Sequence, residues 1–324
     1  MKPQFRFIPA LLLLVIAWSI TGLAKGSTGD ELSISIAEQY GLAYAPVQVM
    51  KELKLLEKNL PGIKTEWKQL SNTAAIREAM LVGRVDVGFI AIPPFLIGWD
   101  KGMPWKIASG LSESPVGLVT WKKEIRSLKD ITKNDRIAAP QPGSVQHILL
   151  AMACEREFGN AKKFDNQLVT LAHPDGMNAL MAKKEIATHF TAPPYLMKEL
   201  EQPGMTQILS GTEAFGGEFT FIVGVTTEGF HDQKPRVYQA YLKSLHQAME
   251  YVSKNPTQTA ALLSDEYRIP EAELLEYLKA PGTYYRPEIK GINQFAAFMK
   301  RNGYIAKIPQ KTSEILWENV DYEK

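Results

Sequence analysis

Residues 71–98 read SNTAAIREAMLVGRVDVGFIAIPPFLIG. This is the pattern of a helix, then a buried strand, then a turn. Ser71, Asn72 and Thr73 carry side-chain oxygens that can accept the orphan amide hydrogens of a first helical turn. Ile76, Met80 and Leu81 recur at helical spacing, and Gly83 stops the helix. Residues 85–90, VDVGFI, read as a short strand that Pro93 and Pro94 end.

The unit occurs twice. Met80 to Pro93 spans 13 positions, and so does Leu180 to Pro193 (93 − 80 and 193 − 180). At this offset Ala79 matches Ala179, the two proline pairs coincide, Phe95 matches Tyr195 and Leu96 matches Leu196. The second copy, residues 175–196, reads DGMNALMAKKEIATHFTAPPYL. A repeat of this kind predicts two similar α/β lobes, each placing a strand end and a proline turn at the same spot. Strand ends and helix starts are where open α/β sheets hold ligands, so the chain reads as two lobes around one cleft.

Around this unit the elements alternate. Residues 32–37 form a first strand, with Gln39, Tyr40 and Gly41 in the loop after it. A helix over 44–57 and strands over 63–67, 105–111 and 116–121 follow. Further on, strands are predicted at 136–139, 168–171, 186–190 and 205–209. Pro142, Gly143 and Ser144 open a helix over 145–157, and another runs over 175–182. Residues 219–225, FTFIVGV, return the chain to the first lobe, and only helical patterns come after it, with Val237, Tyr241, Leu245 and Met249 on one face. The expected division is residues 30–115 with 222–324 in one lobe and 116–221 in the other. Crossings near 113–121 and 217–225 would allow hinge closure. Strands alternating with helices indicate mostly parallel sheets.

The start of the chain reads as an export signal. Lys2 and Arg6 precede an apolar run, residues 10–20, and Gly22, Leu23 and Ala24 supply small residues for cleavage near Ala24. The run falls short of the roughly 20 residues of a spanning helix. One cysteine, Cys154, allows no internal disulfide, and no cysteine follows the signal core, which excludes a lipid anchor on the mature N-terminus. These features point to a periplasm. Cys154 itself sits in a helical pattern beside Leu150 and Met152 and reads as a buried small apolar side chain. With 37 basic and 35 acidic residues the formal charge is +2, which gives no footprint for nucleic acid.

Taken together the chain resembles the periplasmic solute-binding proteins of ABC importers for nitrate, sulfonates and taurine, a group that includes thiamine-pyrimidine-precursor-binding proteins. The likeness is carried by the exported N-terminus and by AMLVGRVDVGFIAIPP around Gly83, Arg84, Val85 and Asp86. Gly143 and Ser144 followed by His147, and Ala192, Pro193, Pro194 and Tyr195, also match in place. It covers roughly residues 32–320. It implies a type II periplasmic binding protein: two α/β lobes joined by a two-strand hinge with a ligand cleft between them. It also implies no catalysis, no cofactor, a monomer, and delivery of a small solute to a membrane permease and its ATPase. Two departures bear on the ligand. The second copy reads Lys183, Lys184, Glu185, Ile186 in place of Gly-Arg-Val-Asp, and the loop after the first strand has Gln39 and Tyr40 but no arginine.

Candidate ligand contacts come from the two copies and from the resemblance. Ser71, Asn72 and Thr73 start one helix, where free amides and the positive dipole end suit an anion's oxygens; the same residues serve as ordinary caps. Gly143, Ser144 and His147 begin the matching helix, with His147 either on the cleft or packed away. Gln39, Tyr40 and Tyr44 offer a polar group and aromatic walls, Tyr44 being equally suited to core packing. Ile92, Pro93, Thr191 and Ala192 stand at the two strand ends. Glu218 either meets a cationic ligand group or pairs at the surface. His189, within a strand-like run, reads as buried structure. The five histidines show no HxxxH or HxH spacing, there is no cysteine cluster, and no Gly-x-Ser-x-Gly, Walker or dinucleotide motif appears. The expected ligand is a small anion of sulfonate, nitrate, taurine or carboxylate type. The alternatives are an enzyme on the same fold, in pyrimidine- or menaquinone-precursor synthesis, and a binding protein that serves a signalling partner.

Overall fold

The computed structural model describes residues 32–322; the expected signal segment lies outside the described residues. The chain begins β1 (Ser33–Glu38), α1 (Ala45–Glu52), α2 (Leu55–Asn59), β2 (Lys64–Gln69), α3 (Thr73–Leu81), β3 (Val87–Ala91), α4 (Ile92–Asp100) and β4 (Trp105–Ser112). It continues β5 (Gly117–Thr120), β6 (Arg136–Ala139), α5 (Val145–Phe158), β7 (Leu168–Thr170), α6 (His173–Met181), β8 (Ile186–Thr191), α7 (Tyr195–Leu200), β9 (Thr206–Ser210) and α8 (Gly211–Phe215). Then come β10 (Ile222–Thr227), α9 (Glu228–Gln233), α10 (Pro235–Lys254), α11 (Pro256–Tyr267), α12 (Glu271–Leu278) and α13 (Ile292–Arg301).

The strands form two sheets of one design. The first has the order β2-β1-β3-β10-β4 and the second β7-β6-β8-β5-β9. In each, one strand alone runs against the others: β10 lies antiparallel to β3 and β4, and β5 antiparallel to β8 and β9. Each odd strand is the one that has just crossed from the other sheet. The crossings meet where Phe221 N–H donates to Ser112 O at 2.8 Å.

The long amphipathic helix α10 buries Val237, Tyr241, Leu245, Met249 and Val252 and packs on α1 and α2. The valine, leucine and methionine side chains each contribute about 1.5–3 kcal/mol by leaving water. The outer edge of β4 is covered by the chain's last segments. Gly110 N–H donates to Pro287 O at 2.7 Å, and Ile107 bridges Leu316. A Cβ at Gly110 would stand 2.7 Å from Glu288 O and 2.8 Å from Pro287 O, so only glycine lets this backbone close the edge. Closing it removes a row of unpaired groups that would invite another strand.

The structure differs from the sequence reading in two instructive places. The helix expected over 44–57 is two helices, α1 and α2, because Lys54 takes a left-handed conformation (φ 51°) and turns the chain. Pro93 and Pro94 do not end a strand in a turn; they lie in the first turn of α4. There a missing N–H costs nothing, because first-turn amides have no intrahelical partner.

Candidate functional site

A cavity of about 570 Å³, counting the part open to solvent, lies between the two sheets. The ends of parallel strands and the starts of helices build its wall. Gln39, Tyr40 and Gly41 follow β1; Ala91 and Pro94 sit at the β3–α4 junction; Pro140 and Gln141 follow β6; Ala192 and Pro193 follow β8. Ser71 and Thr73 come from the start of α3, Ser144, Val145 and Gln146 from that of α5, and His173 from that of α6. Phe221 and Ile222 arrive from the returning crossing, and Ala43 and Tyr44 complete the wall.

Four helices, α3 to α6, therefore begin at one cavity. Their dipoles turn positive ends towards it, although Pro93, Pro94 and Pro174 carry no N–H and the Ala74, Ala75 and His147 amides already serve Gln141, Asn72 and Ser144. Among the lining residues there is no lysine, arginine, aspartate or glutamate. The hydrogen-bonding groups are set locally. Asn72 caps α3 by accepting from Ala75 N–H at 3.1 Å, and Ser144 caps α5 by accepting from His147 N–H at 3.3 Å. The Gln39 amide donates to Thr73 Oγ1 (3.2 Å) and Phe89 O (3.3 Å), fixing both the loop and the hydroxyl. The Thr73 and Ser144 hydroxyls thus act as acceptors within the protein, which leaves each O–H available to donate into the cavity.

The two sides already touch. Ala74 N–H donates to Gln141 Oε1 (3.3 Å), and Leu42 N–H donates to Pro193 O (2.9 Å). Farther out, the Tyr277 hydroxyl donates to Glu201 Oε1 at 2.6 Å.

Of the candidate ligand contacts, Gln39, Tyr40, Tyr44, Ser71, Thr73, Ser144 and Ala192 line the cavity; Pro193, not among those candidates, does too. The others do not. Asn72 is occupied as a cap. Ile92 and Pro93 are buried in the first turn of α4. Gly143 N–H donates to His147 Nδ1 (2.9 Å), whose Nε2 meets Asp165 Oδ1 at 3.0 Å, so His147 is spent on both ring nitrogens. Thr191 is fully buried and bonds His173 Nδ1 at 3.1 Å. Glu218 is exposed and pairs with Lys290 at 2.5 Å, which holds its carboxyl below the usual range. Burial raises the Tyr44 phenol, keeping it neutral.

Gln141, Gln146 and His173 line the cavity, yet the sequence reading did not select them. The offset of 100 that relates the copies would have pointed to His173, which falls opposite Thr73 (173 − 73). Burial, and secondarily the neighbouring His189, pulls the His173 imidazole down, although part of the residue still faces the cleft. Its Nε2 contacts the Gln146 amide at 3.2 Å and its ring stacks on Tyr195 (centroids 5.8 Å apart). Behind it His189 Nδ1 meets Glu199 Oε1 at 2.6 Å, both side chains wholly buried. Among the described residues no cluster of side chains is arranged to hold a metal, and no helix is long and apolar enough to cross a membrane.

Comparison with known proteins places this geometry. The model of the NMT1-like family matches residues 33–264. A putative aliphatic sulfonates-binding protein of Escherichia coli (strain K12) is 23% identical over 313 residues, covering 94% of this chain and 92% of that protein. The taurine-binding periplasmic protein of the same organism is also 23% identical, covering 87% and 91%. Among solved structures, the alkanesulfonate-binding protein of Xanthomonas axonopodis pv. citri, bound to MOPS, superposes with a TM-score of 0.73 at 19% identity, covering 88% of this chain and 98% of that one. The nitrate-binding protein of Synechocystis PCC 6803 superposes with a TM-score of 0.67 at 14% identity, covering 88% and 84%. These structures share the periplasmic binding fold of two α/β lobes.

Proposed function

The chain belongs to the NMT1-like family, and from that and the cleft we propose that it is the extracytoplasmic solute-binding component of an ABC importer. The observation that carries the reading is the convergence of four helix starts, from both sheets, on one cavity with no charged side chain. Such a wall recognises a small anion by amides, hydroxyls and dipoles from opposite sides, so the ligand itself joins the lobes. The sulfonate-, taurine- and nitrate-binding relatives support a solute of sulfonate, taurine or nitrate type, and a carboxylate would meet the same donors. The lobes are residues 30–115 with 222–324 and 116–221, moving about the crossings that meet at Ser112 and Phe221. The segment before residue 25 is a cleaved export signal, the mature protein works in the periplasm as a monomer without a lipid anchor, and a permease and its ATPase receive the solute. Capture and release need no catalysis.

The test is a thermal-shift series on the mature protein with taurine, ethanesulfonate, nitrate and aromatic carboxylates. A solute present at 100 times its Kd stabilises the fold by about 2.7 kcal/mol, a clear rise in Tm. Ser144→Ala and Thr73→Ala are expected to shrink that rise. No rise with any of these solutes, after refolding to strip carried-over ligand, would overturn the reading.

A further inference from the structure

His173 has no counterpart in the first copy, where Thr73 holds the same place, and it is the titratable imidazole on the cleft wall. Its surroundings decide what it can do. From α5 the Gln146 amide meets Nε2 at 3.2 Å; from β8 the Thr191 hydroxyl meets Nδ1 at 3.1 Å. From β8 also comes the ring of His189, 5.7 Å away, and from α7 the stacked ring of Tyr195, with Glu199 beyond His189. Asp175 lies two residues on along α6, and Tyr40 lines the same cavity from the other sheet.

Both hydrogen-bond partners are two-faced. A primary amide and a hydroxyl can each donate or accept. With a neutral ring, Gln146 donates to Nε2 and Nδ1–H donates to Thr191. With a charged ring, the amide turns over, Oε1 accepts from Nε2–H, and the amide hydrogens are freed. Either protonation state is therefore fully bonded. His147 differs, since a backbone N–H fixes its Nδ1 as an acceptor. Among the lining residues no other side chain supplies a positive charge.

We propose that His173 takes up a proton together with an anionic solute. This rests on the solute-binding reading above. An anion about 4 Å from the ring raises an imidazole by on the order of three pH units in a protein-like medium. A group whose pKa rises on binding makes binding stronger as pH falls. Affinity should therefore climb on acidification from pH 7 to pH 5, by at most about tenfold per unit for one proton.

The experiment is calorimetry of ethanesulfonate and nitrate binding at pH 6, in Bis-Tris and in imidazole, cationic buffers that work near that pH, differ in ionisation heat and bring no competing oxyanion. The expected result is a heat that differs between buffers by the uptake of up to one proton per anion. His173→Asn is expected to bind more weakly with buffer-independent heat, and Thr191→Val, which keeps the imidazole but removes its acceptor, to lose much of the uptake. Binding with equal heats in both buffers, or uptake unchanged in His173→Asn, overturns the proposal and leaves the solute reading standing. Failure of either anion to bind in any buffer overturns the anion reading and the proposal with it.

Discussion

The two copies of the repeated unit share a backbone plan and differ in what fills it. α3 and α6 start and end at positions 100 apart, and β3 and β8 end at matching positions (191 − 91). In the first copy a large helix residue, Ile76, lies on a bare strand residue, Gly88, where an added Cβ would stand 2.6 Å from the Ile76 side chain. In the second, the helix residue is bare and the strand residue large: a Cβ on Gly176 would stand 2.4 Å from His189 Nε2. Close approach of helix to sheet is kept in both copies, with the glycine on the strand in one and on the helix in the other, but the facing strand position slips by one, since Gly88 answers to Thr188 at the offset of 100. What surrounds it has changed too. At the positions of Phe89 and Trp99 in the first copy the second carries His189 and Glu199, which form a buried hydrogen-bonded pair.

The largest effect should come from removing bulk in the first copy. Ile76→Ala leaves a cavity over Gly88 and is expected to cost about 2–5 kcal/mol in urea unfolding. A loss under about 1 kcal/mol would mean that α3 settles onto the strand and that the packing exchange is not needed.

The polar pair of the second copy should show itself against pH. Burial pushes His189 down and Glu199 up, so the folded pair keeps one proton and no net charge across the neutral range. The unfolded pair loses its last proton above about pH 6.5. Stability is then expected to fall as pH rises above about 6.5, by about 2 kcal/mol between pH 6.5 and pH 8, at 1.36 kcal/mol per unit. Glu199→Gln should remove that slope. Equal slopes in the two proteins would show that the pair does not hold its proton.

Gly176→Ala is a finer test because two effects oppose. Alanine favours a helix interior by about 1 kcal/mol over glycine. The new methyl meets a ring backed by Glu199, and crowding of this kind costs about 1–3 kcal/mol. A net loss of about 1 kcal/mol is expected by thermal unfolding, and a gain would show that the ring swings aside. Smallest is the helix end. Gly83 and Lys183 occupy matching left-handed positions (φ 68° and 52°), so Lys183→Gly should stabilise by about 0.5–1 kcal/mol, read as a higher urea midpoint.

Much of the fold was legible because its signals are local. The repeat, the period-two strands and the caps at Asn72 and Ser144 depend on near neighbours. Lys54 was not legible: the apolar spacing from Val47 to Leu56 runs on through it, and only the packed structure breaks the helix there. Pro93 and Pro94 mislead because proline both ends strands and begins helices, and the helical run from Phe95 to Asp100 decides between the two. The cavity was half legible. Gln39, Thr73 and Ser144 sit at the element ends that any α/β lobe brings to its cleft. Gln141 and Gln146 differ from ordinary loop and helix residues only through Ala74 and His173, partners 67 and 27 positions away. Glu218 read equally well as ligand contact or surface pair, and its partner Lys290 is 72 residues distant.

The cover over the edge of β4 sets the order in which this chain can be completed. The second sheet uses one unbroken stretch, from Gly117 to Ser210, and all its pairings are available once that stretch exists. The first sheet lacks its fourth-position strand until β10 appears, and its edge stays open until residues 284–288 and 315–317 arrive. Contacts between residues this far apart in sequence form late and slowly. A growing or threaded chain would therefore carry a finished second lobe beside an unfinished first one, with a bare strand edge exposed. Shortening the protein to end before residue 284 would make that passing state permanent, and association through the β4 edge would be its signature.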